Sequence, residues 1–165
     1  MTSHHDSTLT HDQRFEKLGD EIPPLARIPS EFSFVAWRRI GSLVYLSGHG
    51  PNREKMPPEF DFTGKVGGTI TPEQGYQAAR LVGLSLLVTL RDAIGSLDRM
   101  RQVVEVVGAI NAVPEFTGHS RVLNGCTDLL REIFGEFGYA PRMAFGAGSL
   151  PFDMTTEIKM IVEVS

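Results

Sequence analysis

The segment 71–95 constrains the fold of this chain more than any other. Thr71 stands where a helix N-cap belongs, Pro72 at the first helical position and Gln74 at the reciprocal position of a capping box. Ala78, Ala79, Val82, Leu86, Leu87 and Leu90 then recur at helical spacing as far as Ile94, and Gly95 is a natural C-cap. So long an amphipathic helix must lay its apolar stripe on a sheet, and the flanking segments supply one. Residues 34–40 and 43–47 read as a hairpin turning at Gly41-Ser42. Residues 103–112 form a β-branched run whose near-continuous apolarity predicts a strand buried on both faces. A second helix is predicted over 119–137, capped by Gly138, followed by strands over 142–149 and 155–164. The fold class is therefore α+β, a mixed sheet with two helices packed on one face. Its other face needs cover, and oligomerisation through the sheet is the expected remedy.

The length of 165 residues suits one domain, set at 31–165, preceded by a tail and short helix over 1–30. Residues 1–9 read as an unstructured start. Thr10 and Gln13 then form a capping box ahead of a helix ending near Gly19, closed by Pro23 and Pro24. Residues 51–68 form a long, proline-containing loop that could be mobile. A hydrophobic share of 41% beside 22% charged residues is that of a globular protein, and no run approaches the ~20 apolar residues of a membrane span. A cytoplasmic location is the default, and no membrane partner is expected. Cys126 alone makes no internal disulfide, and no Cys/His spacing resembles a zinc site, so neither metal nor cofactor is expected. The net charge of −4, with basic residues scattered, makes nucleic acid an unlikely partner.

Chemistry concentrates where the apolar run 43–46 stops in Ser47-Gly48-His49-Gly50-Pro51. The glycines allow positive φ or close approach, and Pro51 ends the strand as an interior one. His49 is the candidate acid or base near neutral pH, its alternative being a hydrogen-bonded turn histidine. Ser47 is a candidate ligand contact or a strand-end cap. Cys126 reads as a small buried hydrophobe, Glu115 as a substitute acid, and Phe116 as a pocket wall or interface aromatic. Trp37 is expected to pack at a sheet face or subunit contact.

Four pieces in order, Tyr45-Leu46-Ser47-Gly48 with Pro51, Thr63-Gly64-Lys65-Val66, Asn124 with Ile133-Phe134, and Leu150-Pro151 followed by Glu157-Ile158, resemble the RidA/YjgF family. The run 122–130 and the N-terminal helix are similar to its longer branch, which carries an endoribonuclease (L-PSP type) label. The resemblance implies a chorismate-mutase-like fold, a homotrimer, and a cleft between subunits for a small, anionic molecule. It implies ligand contacts at Phe34, Ser47, Gly48, Arg121, Asn124, Ser149 and Lys159. Imine-deaminating members of that family bind the substrate carboxylate through an arginine just before the Leu-Pro pair, which is Ser149 here. Their water-positioning glutamate falls at Lys159 and their aromatic hydroxyl at Phe34. Arg142 cannot replace the arginine under regular alternation, because seven residues separate it from Ser149; Arg121, sharing a helix face with Asn124, is the better substitute. Three functions follow from the resemblance: a hydrolase of non-standard deaminase type, a non-catalytic metabolite-binding or regulatory trimer, and an endoribonuclease.

Overall fold

The computed structural model describes residues 8–52 and 62–165. In order the elements are α1 (His11–Glu16), β1 (Trp37–Ile40), β2 (Leu43–His49), α2 (Pro72–Ile94), β3 (Met100–Asn111), α3 (His119–Phe134), β4 (Arg142–Ala147) and β5 (Thr156–Val164). They build one five-stranded sheet in the order β1-β2-β5-β3-β4, antiparallel throughout except for the parallel pair β3–β4, which α3 connects. The mixed α+β class is as expected. Helices α2 and α3 pack against each other and on one sheet face, where Val44, Leu46, Val106, Ile110, Ile158 and Met160 are buried beneath them.

Local signals hold at the helix starts. At both Thr10 and Thr71 the side chain accepts from the third helical N–H while the glutamine at that position bonds back to the cap. Gly95 takes φ +82°, which L-residues rarely adopt, and its N–H closes α2 on the Arg91 carbonyl. Phe15 of α1 is fully buried in the same core as α2 and α3, so the short helix is docked on the domain.

Several boundaries differ from the sequence-based reading. Strand β1 starts at Trp37, and Phe34 is exposed ahead of it. Strand β2 runs on to His49 through an irregularity between Leu46 and His49. The second helix stops at Phe134 and tightens into a 3₁₀ turn over Gly135–Gly138. Strand β3 is not buried on both faces of the single chain: Val103, Val106 and Ile110 point into the core, whereas Val104, Val107 and Ala109 are only half-buried. Its near-continuous apolarity reflects a core face backed by an open face on which Val107 and Ala109 stand beside Glu105. The start with His4 and His5, and half of the loop expected to be mobile (residues 53–61), lie outside the described residues.

Candidate functional site

The end of β2 borders a cavity of about 760 Å³, within the range of small-molecule sites. Its walls are the segment 24–29 leading from α1, Phe32 and Phe34, Ser47–His49, Phe62 and Thr63, Ser85 of α2, and the turn around Phe152 and Met154. Four of the residues singled out from sequence, Phe34, Ser47, Gly48 and His49, thus line one space.

Their groups are largely committed to the protein itself. The Ser47 N–H donates to the Ala36 carbonyl at 2.9 Å and its hydroxyl to the Val35 carbonyl at 2.6 Å, so Ser47 ties the approach to β1 onto β2. Gly48 gives the Glu157 carboxylate its room, since a Cβ there would push that side chain aside. The His49 Nδ1 lies 2.7 Å from the Ser47 carbonyl. A carbonyl only accepts, so Nδ1 carries the proton and Nε2 is left to accept from the Thr89 hydroxyl at 2.9 Å. Both ring nitrogens are therefore satisfied by the neutral imidazole. Burial pushes the His49 pKa below its ordinary 6.5, and the bond to the Ser47 carbonyl offsets only part of that.

The depressed pKa of His49 has a sign in stability. Below pH 6.5 the unfolded chain takes up a proton that the folded imidazole resists, so His49 weakens the fold as pH falls from 6.5 toward its folded pKa and contributes fully above 6.5. Chemical denaturation at pH 7 and pH 5 checks this. The stability lost between the two is expected to be smaller for His49→Gln than for the wild type; equal losses would show that His49 is not held neutral.

The other singled-out residues lie apart from the cavity. Arg121 is exposed in the first turn of α3, and Asn124 is half-buried one turn on, in the helix layer. Lys159 sits on the open sheet face, its Nζ 3.9 Å from the Glu105 carboxylate. Ser149 is exposed beyond the end of β4, so strand alternation does not reach it. Lys159 pairs with Val107 and β4 ends beside Asn111, four residues along β3, or roughly 13 Å at strand spacing. Arg142 turns toward α3, donating to the Thr127 hydroxyl at 2.8 Å and the Ser120 carbonyl at 3.4 Å.

Phe116 packs edge-on against His119, ring centroids 5.3 Å apart, and does not line the cavity; Glu115 is exposed. Trp37 packs half-buried against the core. Burial pushes the Cys126 thiol up to about 12, leaving it a hydrophobe. Among the described residues no group of three His, Cys, Asp or Glu side chains could hold a metal, and no helix is long and apolar enough to cross a membrane.

Sequence reasoning missed a second polar cluster beside the cavity. Lys65 donates to Asn111 Oδ1 at 2.8 Å and to the Gly148 carbonyl, while Asn111 Nδ2 donates to Asp153 Oδ1 at 2.8 Å. Asn111 is fully buried. The signal available was an amide closing a largely apolar strand, as Ser85 and Thr89 were two hydroxyls one turn apart in the apolar stretch of α2. The wall at 24–29 left no periodic signal at all.

The comparisons with known proteins agree with this architecture. The family described as "YjgF/chorismate_mutase-like, putative endoribonuclease" matches over residues 13–164. Protein TCP17 of Trypanosoma cruzi is 32% identical over 151 residues, 91% of each chain. Among solved structures, the protein Atu1372 of Agrobacterium tumefaciens, titled as of unknown function, is 31% identical with a TM-score of 0.80, over 94% of this chain and 92% of that one. A protein of Shewanella oneidensis titled a putative endoribonuclease is 28% identical with a TM-score of 0.85, over 94% and 100%. By its sheet order, its helix layer and a match across nearly its whole length, this chain belongs to the YjgF/chorismate-mutase-like family.

Proposed function

We propose that the chain works as a homotrimer that binds a small organic anion, and that any hydrolysis it performs differs from that of imine-deaminating relatives. The observation that carries this reading is the cavity at the end of β2. Among the described residues lining it, Arg27 alone is ionised, because His49 is held neutral, so the charge balance favours an anion. In this reading His49 positions the strand end rather than exchanging protons, and Ser47 and Gly48 shape the wall. Arg121, Asn124, Ser149 and Lys159 would reach a ligand only across a subunit boundary.

The trimer is supported by the open sheet face. Tyr45, Met143 and Phe145 are exposed there beside half-buried Val107, Ala109 and Ile161, an apolar surface that a partner subunit would cover. Non-catalytic metabolite recognition fits the committed state of Ser47 and His49 better than an acid–base mechanism. The endoribonuclease in the family description draws no support from an imidazole with both nitrogens bonded.

Sedimentation and an assay with freshly generated 2-aminoacrylate test the reading together. The expected result is a three-chain species that releases ammonia far more slowly than a relative with arginine at the position of Ser149. A stable 18.2 kDa monomer, or ammonia release equal to that relative's, would overturn it. RNA cleavage that survived repurification and vanished with His49→Gln would replace it with the nuclease.

A further inference from the structure

Three described residues other than glycine have left-handed backbones: Phe62 (φ 49°), Phe152 (φ 56°) and Asp153 (φ 53°). Phe62 and Phe152 both line the cavity, and Asp153 is the next residue in the chain. A left-handed phenylalanine is costly, and such strain persists only where its surroundings over-determine it. Here they do. The Asp153 N–H donates to the Leu150 carbonyl at 3.0 Å and its carbonyl accepts from the Gly64 N–H at 2.8 Å. Its carboxylate is gripped by Asn111, which Lys65 holds from the other side. The Phe62 carbonyl accepts from both the N–H and the hydroxyl of Thr155.

What this scaffold achieves is to keep Phe152, 69% exposed in the single chain, at the cavity rather than folded into the core. Strained backbone and unburied phenyl are each unfavourable, and together they make sense if a ligand covers the ring. Phe32 and Phe34, exposed at 42% and 53%, line the same space with rings 6.0 Å apart and tilted by 48°. Flat aromatic walls recognise flat aromatic ligands by stacking and edge contacts, and among the described lining residues Arg27 supplies a positive charge.

We infer that the ligand is a small carboxylic acid with a flat aromatic body, and that Phe152 is the residue that selects it. The inference rests on the cavity being a ligand site, as proposed above. Cinnamate and 3-cyclohexylacrylate share the acid group and differ in whether the ring is flat, so titration calorimetry with both, on the full chain, separates stacking from bulk. Cinnamate is expected to bind about tenfold more tightly than the cyclohexyl acid. Phe152→Ala should abolish that preference, Phe152→Leu should reduce it, and Phe152→Tyr should restore it. Equal affinities unchanged in Phe152→Ala would overturn the aromatic selection and leave the ligand site standing. Failure of both acids to bind would overturn both. A changed sedimentation state in Phe152→Ala with unchanged cinnamate affinity would assign the ring to a subunit contact and also overturn the inference.

Discussion

Gly125→Ala is expected to destabilise the protein by about 3 kcal/mol or more, lowering its melting temperature by roughly 6–12 °C for a chain of this size. Gly125 lies where α3 crosses α2, and a Cβ there would overlap the Tyr76 carbonyl oxygen while standing 2.9 Å from its carbon and 3.0 Å from the Arg80 nitrogen. Those are backbone atoms of a buried helix, so neither a rotamer change nor a flexible side-chain end can relieve the clash. The helices must separate, and Gly83 facing Cys126 and Leu129 opens with them. Gly148→Ala is the control, since its Cβ would meet open space, and a change within about 0.5 kcal/mol is expected. Thermal and urea unfolding of both variants decide it. If Gly125→Ala unfolds like the wild type, the helices are not packed this closely.

Phe15→Ala carries the second large effect. Its ring is fully buried, with the Arg91 guanidinium 5.0 Å above it, and its removal should cost the docked extension about 3–5 kcal/mol. The neighbouring anchors are thinner. Arg14 donates to the Ile133 carbonyl at 2.7 Å, Asp12 accepts from the Leu97 N–H at 3.1 Å and from the Ser96 hydroxyl, and Glu16 pairs with Arg91 while half-exposed. Exposed pairs of that kind contribute little, so the loss of Phe15 should release α1 while the sheet survives. Amide hydrogen exchange would read this as lost protection over residues 11–22 with α2, β3 and β5 unchanged. Segment 24–29, which follows α1, would lose its anchor as a cavity wall. A uniform loss of protection would instead make the extension inseparable from the core.

What could be read from sequence was local or periodic. Both capping boxes need only residues three apart, and Gly95 needs only its own φ, so Thr10, Thr71 and the end of α2 were legible. Family resemblance added the fold and named Phe34, Ser47 and Gly48 of one cavity wall, and the polar end of β2 added His49. What failed was non-local. His49 offers two readings from sequence, an acid or base and a hydrogen-bonded turn histidine; the local bond to the Ser47 carbonyl agrees with the second, while the other partner, Thr89, is 40 residues away on α2 and left no local signal. Phe34 reads as strand because nothing nearby shows that pairing continues only through Val35 and Ala36, by way of Ser47. Residues 103–112 read as doubly buried because a near-continuous apolar run does not distinguish a strand covered on both faces from one whose second face is only half-buried, as β3 is here.

The sheet order carries a consequence for how the chain comes together. Strand β5 is the last of the five in sequence yet lies at the centre, bonded to β2 on one side and β3 on the other. During synthesis the β1–β2 hairpin and the β3-α3-β4 crossover can each form early. In the sheet, β5 alone joins them: without it the facing edges of β2 and β3 have no strand between them. Any chain in which β5 has not yet paired presents the edges of β2 and β3 to a foreign strand, and pairing of Thr156 to Val164 is the closing stitch that removes both edges at once.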